Sequence, residues 1–306
     1  MTYSRRIVSQ FTPLVLSFLA LLVTNLLLPR QGTAQSTPRP GQQVVLVTGS
    51  TGGLGREIAL RMGSRGAHVI VHGRNRERGI EVVSEIEATA AGTARFYEAD
   101  FASFSDVREF AQAVIRDYSR LDILVNNAGF GSAPDERLLS EDGHEFRFQV
   151  NHLSHFLLTR RLLPVLRESV PSRIVNVSSG AQQPIDFDDV MIENEFSGRR
   201  AYAQSKLAQI MFTFDLALEL KGTGVLANAL HPATYMDTGM VRRAGVTPMA
   251  TVDEGADAVM QLIHARDIGS GGYFNGLRRA RANAQAYDDE ARTNLRMVSE
   301  ELTGAR

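Results

Sequence analysis

Four consecutive aliphatic residues, Val44–Val47, run straight into glycines at 49, 52, 53 and 55, and a helical pattern follows over residues 56–64. A short, continuously apolar and β-branched run is what a strand buried on both faces requires. Glycines between such a strand and a helix let the backbone approach a ligand closely. The helix start then offers N–H groups and a positive terminus to a pyrophosphate. No Gly-Lys-Ser/Thr follows, so the phosphate loop of a kinase or NTPase is absent. Spacing alone leaves two registers open: GxxxGxG through Gly49, Gly53 and Gly55, or GxxGxxG through Gly49, Gly52 and Gly55. An ordinary strand–helix turn is also glycine-rich, so the cluster needs support from the rest of the chain.

The alternation continues downstream. Strands are expected at residues 68–72, 95–98, 123–125, 173–177, 225–230 and 272–274. Helices are expected at 77–90, at 103–118, around Asn151, and from the Tyr202 region to about residue 220. Strands and helices alternating at this spacing make right-handed βαβ units, and hence one parallel sheet covered on both faces. The expectation is an α/β, doubly wound Rossmann fold with a seven-stranded parallel sheet, a single catalytic domain over residues 41–306. A last helix over 282–302 carries alternating charges and is expected to pack on the sheet edge.

Residues 1–40 read differently. Ser4-Arg5-Arg6 precedes an apolar run over 11–28, then come Gly32, Thr33 and Ala34 and a Pro/Gln/Thr linker. Charged start, apolar middle and small-residue end are the parts of an export signal. The paired arginines resemble a twin-arginine signal, from which Ser9 and Gln10 depart. The rival is an uncleaved membrane anchor. Its apolar run reaches about 27 Å at 1.5 Å per residue, barely a span. Arg5 and Arg6 face Arg30 and Arg39 across it, so charge gives no orientation. A start codon placed too early is the third reading. The expected location is therefore exported or membrane-anchored, with membrane association through residues 11–28 in the second case.

Bulk numbers exclude several classes. A 43% hydrophobic content supports a large core, and a net charge of −1 with no basic run argues against a nucleic-acid partner. The absence of cysteine removes disulfides, thiolate metal sites and a cysteine nucleophile.

The second strand bears on which dinucleotide binds. An NAD site usually places an acid at its end to hold the ribose 2′-hydroxyl. Here that place reads His72-Gly73-Arg74-Asn75, with no acid before Glu77. A carboxylate would repel a 2′-phosphate, whereas a guanidinium grips it with two hydrogen bonds. The inferred cofactor is NADP(H), less readily NAD(H), with Arg74 as main determinant; a solvated loop arginine is the alternative.

Tyr202 and Lys206 stand four apart, on one face of a helix. A tyrosine of ordinary pKa, about 10, is a poor acid or base at neutral pH. An ammonium held against its hydroxyl lowers that value. Only Lys206 and Lys221 are lysines among the 33 basic residues, which makes a lysine here a pointed choice. A surface Tyr/Lys pair is the plain alternative.

Taken together, residues 43–304 resemble the short-chain dehydrogenase/reductase family, most of all its retinol dehydrogenase and protochlorophyllide reductase branch. Thr48-Gly49-Ser50-Thr51-Gly52-Gly53-Leu54-Gly55 looks like the family's TGxxxGxG, and Asn126-Asn127-Ala128-Gly129 like its NNAG motif. Asn151, Ser179, Tyr202 and Lys206 match its catalytic tetrad, with Ser178 the runner-up serine. The resemblance implies cofactor contacts from Gly49, Ser50, Thr51, Gly53, Leu54, Gly55, Asn127, Ala128, Gly129, Tyr202, Lys206 and Pro232, with Asp100 at the adenine. It also implies that Tyr202 exchanges a proton with the substrate oxygen, Ser179 hydrogen-bonds that oxygen, Lys206 holds the ribose, and Asn151 anchors a water. One stretch departs from the pattern. After the sixth strand the family has Pro-Gly and then a threonine; here Ala233 replaces the glycine and Thr238 lies one residue late, with Asp237 in its usual place.

The expected activity is NADP(H)-dependent interconversion of an alcohol and a carbonyl on a small apolar substrate. Residues 234–245 and the insert 182–199 are expected to border it, with Phe187, Phe196, Tyr235, Met236 and Met240 as candidate pocket residues. A silent NADP(H)-sensing module and a sugar-nucleotide epimerase or dehydratase are the competing readings. His152 and His155 are spaced i, i+3 on a helix but have no third ligand in register, so no metal is expected. No G-x-S-x-G elbow supports a hydrolase.

Overall fold

The computed structural model describes residues 36–305. The export signal or anchor expected within residues 1–40, including the apolar run 11–28, lies outside the described residues up to residue 35. Among the described residues no helix is long and apolar enough to cross a membrane.

Strand β1 (Val44–Val47) is wholly buried, and its side chains alternate between two cores. Val44 and Leu46 join Ile70, Leu124 and Ile174 on one face, whereas Val45 and Val47 join Val69, Val71, Ile123 and Val125 on the other. Period-two alternation with no polar member is what a sheet covered on both sides demands. Each such side chain contributes roughly 1.5–3 kcal/mol of burial.

Strands β2 (His68–Gly73), β3 (Thr93–Glu98), β4 (Ile123–Asn126), β5 (Ser172–Val177), β6 (Val225–His231) and β7 (Tyr273–Asn275) complete the parallel part of the sheet. A further strand, β8 (Arg278–Ala280), closes the order β3-β2-β1-β4-β5-β6-β7-β8. Helices α1 (Gly53–Ser64), α2 (Arg76–Ala88) and α7 (Val252–His264) cover one face. Helices α3 (Phe104–Asp117), α4 (Ser154–Glu168) and α5 (Gly198–Glu219) cover the other. The strand order reverses at β1, so the loops leaving β1 and β4 diverge there and open a crevice at the carboxyl edge.

Two expectations need correction. The sheet has eight strands, not seven, and the last is antiparallel. Gly276 adopts φ +56°, which allows a two-residue reversal after Asn275 and folds Arg278–Ala280 back on β7. The tail helix begins later than 282. Asp288 accepts from the backbone of Glu290 and Ala291 and caps α8 (Asp289–Thr303), with a separate 3₁₀ turn at Ala284–Tyr287 before it. It packs on helices rather than the sheet edge: buried Arg292 pairs with Asp215 of α5 at 2.8 Å, and Ser299 meets His152 at 2.8 Å.

Candidate active site

The crevice at the carboxyl edge is a cleft of about 670 Å³, walled by the β1–α1 turn, the β2 and β4 ends, the Ser178–Ala181 stretch, the start of α5 and residues 231–246. Its floor is built by glycines that admit no side chain. A Cβ at Gly55 would lie 2.4 Å from both Asn127 Nδ2 and the Gly49 carbonyl oxygen, and one at Gly49 would lie 2.8 Å from Ala128 Cα. Gly49 and Gly53 also adopt φ +64° and +53°, the left-handed region. Gly52, by contrast, faces open space within 4 Å and is extended at φ −174°. Crowding therefore singles out Gly49, Gly53 and Gly55. A backbone cradle that a Cβ would fill, ahead of a twelve-residue helix, fits a dinucleotide pyrophosphate.

The cradle is held by side chains whose bracing role the motifs alone do not reveal. Thr48 Oγ1 accepts from the backbone N–H of Asn127 at 2.8 Å and of Ala128 at 2.9 Å. Asn127 Nδ2 donates back to the Thr48 carbonyl at 2.8 Å, so β1 and β4 are laced together at the turn. His72 Nδ1 accepts the Gly49 N–H at 3.1 Å, its ring stacked on Phe110 and its pKa pulled to about 4 by burial. Leu54 is buried behind the cradle, and Thr51, Ala128 and Gly129 line it. Ser50 does not. Its hydroxyl donates to the Val47 carbonyl and accepts the His72 N–H, buried in the β1–β2 seam.

At the β2 end Arg74 stands exposed, with Nη1 3.2 Å from Asp100 Oδ2. Asp100 is occupied on its other oxygen by the Ala102 N–H at 2.9 Å. Arg78, one turn into α2, lies on the same wall.

On the opposite wall the β5 end presents two serines with different tasks. Ser178 Oγ donates inward to the Lys206 carbonyl at 2.6 Å. Ser179 faces the Tyr202 hydroxyl, whose pKa it pulls down against burial, and accepts the Ala181 N–H at 3.1 Å. Its carbonyl is fixed by the Tyr273 hydroxyl of β7 at 3.0 Å. Ser179 is thus the serine turned toward the tyrosine.

Lys206 does not bond the Tyr202 hydroxyl. Its Nζ donates to the Val177 carbonyl at 2.9 Å and to Gln209 Oε1 at 2.8 Å, and lies 5.9 Å from the Tyr202 ring centre. Burial pulls Lys206 down to about 7. Burial also pushes Tyr202 above its ordinary range, against the Ser179 hydrogen bond. The expected depression by a touching ammonium is therefore not the arrangement seen, because the carbonyl of β5 and the amide of Gln209 hold the ammonium first.

Asn151 is buried in a π-helical turn, Gln149–Leu153, leading into α4. Its side chain accepts the Phe130 N–H at 2.7 Å and donates to the Phe130 carbonyl and to Ser205 Oγ at 3.0 and 2.9 Å. It clamps the chain leaving β4 to α5. A Cβ on Gly129 would sit 3.3 Å from Asn151 Oδ1 and 3.6 Å from Lys206 Nζ, so the NNAG turn, the asparagine and the lysine meet at one point. His155 donates from Nδ1 to the Asn151 carbonyl at 3.0 Å and receives Thr48 Oγ1 on Nε2 at 3.0 Å. This tautomer follows because the Asn151 carbonyl can only accept, so the proton sits on Nδ1 and Nε2 is left as an acceptor for the Thr48 hydroxyl.

A second buried device sets the roof. Arg147, fully buried, bonds the carbonyls of Gly131, Ser132, Pro134 and Glu136 and pairs with Glu145 at 3.1 Å. It thereby folds residues 130–136 over the cleft beside the start of α5. The i, i+4 pair Phe146 and Val150 lines the cleft beneath, a helical-spacing signal that sequence reading left unused.

Residues 232–246 form the remaining wall, including Pro232, Tyr235, Met236 and Met240. Thr238 caps the short helix α6 (Gly239–Arg243), and its methyl would touch a Cβ on Gly53 at 3.3 Å, directly over the cradle. Its backbone N–H is bonded to the Met236 carbonyl at 2.6 Å. The insert 182–199 does not border the cleft. Phe187 packs on the core, and Phe196 lies 5.6 Å from the Arg147 guanidinium, both serving packing. Among the described residues no cluster of ligating side chains holds a metal. His152 meets Ser299 and His155 meets Thr48.

The family model of short chain dehydrogenases matches residues 43–247. Human retinol dehydrogenase 13 is 36% identical over 286 residues, covering 87% of this chain and 85% of that protein. An uncharacterized protein of Mycobacterium paratuberculosis superposes with a TM-score of 0.72 at 30% identity, over 89% of this chain and 97% of the other. A short chain dehydrogenase of Burkholderia cenocepacia in complex with NADP superposes at 0.63 with 28% identity, over 77% and 96%. The matched span contains the glycine cradle, Ser179, Tyr202 and Lys206, so the chain belongs to the short-chain dehydrogenase/reductase family, in its retinol-dehydrogenase-like branch, as an oxidoreductase of alcohol and carbonyl groups using NAD(P).

Proposed function

We propose that the protein reduces or forms an apolar carbonyl compound with NADP(H), Tyr202 being the acid/base. The observation that carries this reading is the meeting of Ser179, Tyr202 and Lys206 in the one cleft whose floor is the Gly49–Gly55 cradle. When bound there, the nicotinamide supplies or accepts the hydride. Gly49, Gly53 and Gly55 would hold its pyrophosphate, Lys206 its ribose, and Pro232 and Thr238 its carboxamide end. In the reducing direction Tyr202 donates its proton to the substrate oxygen, and Ser179 donates a hydrogen bond to the same atom as charge develops. Lys206, titrating at about 7, exchanges a proton under working conditions and restores the tyrosine. Asn151 keeps Phe130 and Gly129 beside that ammonium, and a water shared with its carbonyl would complete the relay. A neutral, half-buried Tyr202 suits the donating role, which favours carbonyl reduction as the faster direction at neutral pH.

Arg74 supports the preference for NADP(H). No acid stands at the β2 end to receive a ribose hydroxyl, and the guanidinium is exposed at the cleft margin with Arg78 behind it. Phe130, Phe146, Val150, Met236 and Met240 give the substrate side its apolar lining, in keeping with the retinol dehydrogenase relatives. The test is a panel of retinoid, steroid and aliphatic aldehydes assayed with NADPH and NADH side by side. Turnover of apolar aldehydes, faster with NADPH, is expected. Equal use of both cofactors removes Arg74's role, and no turnover of any member favours a cofactor-binding module.

A further inference from the structure

Charge is unevenly placed around the cleft mouth. Residues 238–252 contain Arg242 and Arg243 and no acid; residues 268–287 contain Arg278, Arg279 and Arg281 and no acid. In a chain of net charge −1 with 34 acidic residues, two acid-free segments that end up side by side are a local basic surface. They do end up side by side. β6 and β7 are parallel and paired at His231 and Asn275, so both leave the sheet at its carboxyl edge. The Gly276 N–H then donates to the His231 carbonyl at 2.8 Å, pinning the β7–β8 turn to the start of the cleft wall. Arg242 is neutralised by Asp237 at 2.8 Å, and Arg281, carried back past the start of β7, stacks on Tyr287 at 5.1 Å, whereas Arg243, Arg278 and Arg279 form no ion pair among the described residues.

The same rim carries exposed apolar side chains. Met249 is 73% exposed, Leu277 57% and Tyr235 49%, and the Met249 N–H donates to the Tyr235 carbonyl at 3.0 Å. Arginines on an edge strand would by themselves serve only to block strand addition. That does not account for a methionine, a leucine and a tyrosine held out in solvent on the two turns beside them. Loop-borne apolar tips ringed by unpaired guanidinium groups are the chemistry of a surface that meets lipid headgroups.

We propose that this rim docks on an anionic lipid surface. Tyr235, Met249 and Leu277 enter the headgroup boundary, Arg243, Arg278 and Arg279 meet lipid phosphates and carboxylates, and the cleft mouth opens toward the acyl region. The inference rests on surface chemistry and holds whether or not the proposed turnover does; its test reads no turnover, so the two fail separately.

The chain has no tryptophan, so Leu277→Trp in the full-length protein is a sole reporter. Ile115→Trp, near the end of α3 at the opposite edge of the sheet, is the control, and Met249→Trp repeats the measurement should the first variant not fold. Each is mixed with vesicles of phosphatidylcholine plus phosphatidylserine carrying brominated acyl chains, and with phosphatidylcholine vesicles alone. The expected result is a blue shift and quenching of the Leu277→Trp fluorescence with the anionic vesicles and none for the Ile115→Trp control. The signal should fade at high salt, and Arg278→Glu with Arg279→Glu should weaken vesicle affinity by about tenfold or more. Protein that pellets with the vesicles while the Leu277→Trp emission stays unshifted is attached through another segment, and the proposal fails. Salt-sensitive binding to an acidic polypeptide, with no shift on vesicles, also overturns it.

Discussion

On the wall formed by β1, β2 and β4, recognition is written into backbone: glycines that cannot carry a Cβ, and Thr48, Asn127, His72 and His155 spending their hydrogen bonds to hold the turn in place. On the wall formed by residues 232–246, recognition is written into side chains: Tyr235, Met236 and Met240 around a five-residue helix, none of its residues fully buried. The first wall has almost no freedom to vary, and the second has a great deal. A ligand that is always the same suits the first, and a substrate that differs from enzyme to enzyme suits the second.

The sharpest way to break that contrast lies within the glycine turn itself. Gly55→Ala should abolish cofactor binding and destabilise the fold by several kcal/mol, since the new methyl meets backbone at 2.4 Å. Gly52→Ala, with open space around it, should leave dinucleotide affinity within about threefold and stability within about 0.5 kcal/mol. Calorimetric titration and thermal melts of the two variants read both effects. Similar losses in both would mean the cradle is not where crowding puts it.

Acid should attack the first wall through His72 and His155, and the rest of the fold through His68 and His152. Burial holds His68 and His72 at about 4 and His152 and His155 at about 3. These folded-state values lie below the unfolded value of about 6.5, so the unfolded chain binds more protons as pH drops. Stability is therefore level above about pH 6.5 and falls below it until the folded-state values are reached. At pH 5.5 each histidine costs roughly 1.4 kcal/mol, so the four together cost about 6 kcal/mol. Denaturant melts across this range should show the loss, with His72→Gln flattening part of it.

Arg74→Asp should weaken NADP(H) by about 30- to 100-fold, from lost charge-assisted hydrogen bonds tempered by exposure, and change NAD(H) affinity by only a few fold. The smallest expected effect is on the side-chain wall. Met240→Ala should raise KM for an apolar aldehyde by about 3- to 10-fold without altering cofactor affinity, whereas Phe187→Ala should lower stability and leave KM alone.

Legibility from sequence follows the same divide. A central strand such as β1 is readable because a parallel strand covered on both faces must be apolar throughout, as Val44–Val47 is, whereas edge strand β3, with Arg95, Tyr97 and Glu98, is readable only from the alternation of strands and helices around it. The residues singled out as Gly49, Gly53, Gly55, Ser179, Tyr202 and Lys206 meet in one cleft because each sits at a strand end or on a helix whose register is fixed. β8 escapes a sequence reading although Asn275-Gly276 is a hairpin signal, since three residues rich in arginine do not look like a strand. Gln209, i+3 from Lys206 on the same helix, is within its reach by spacing alone, whereas the bond from Lys206 to the Val177 carbonyl is not legible, because only tertiary packing brings it there. Neither is Arg147, whose partners are backbone carbonyls that any sequence could supply. The turn of the Ser50 hydroxyl into the β1–β2 seam is likewise unreadable, since its motif position says nothing of which way the side chain points.

The central claim is that the Tyr202 hydroxyl passes the proton in the Ser179–Tyr202–Lys206 cleft. The most direct test is Tyr202→Phe, assayed for aldehyde reduction with NADPH and titrated with NADPH by calorimetry. The account predicts turnover down by at least about 10³-fold with NADPH affinity within a few fold of the parent. Turnover near the parent's rate in that variant would contradict it.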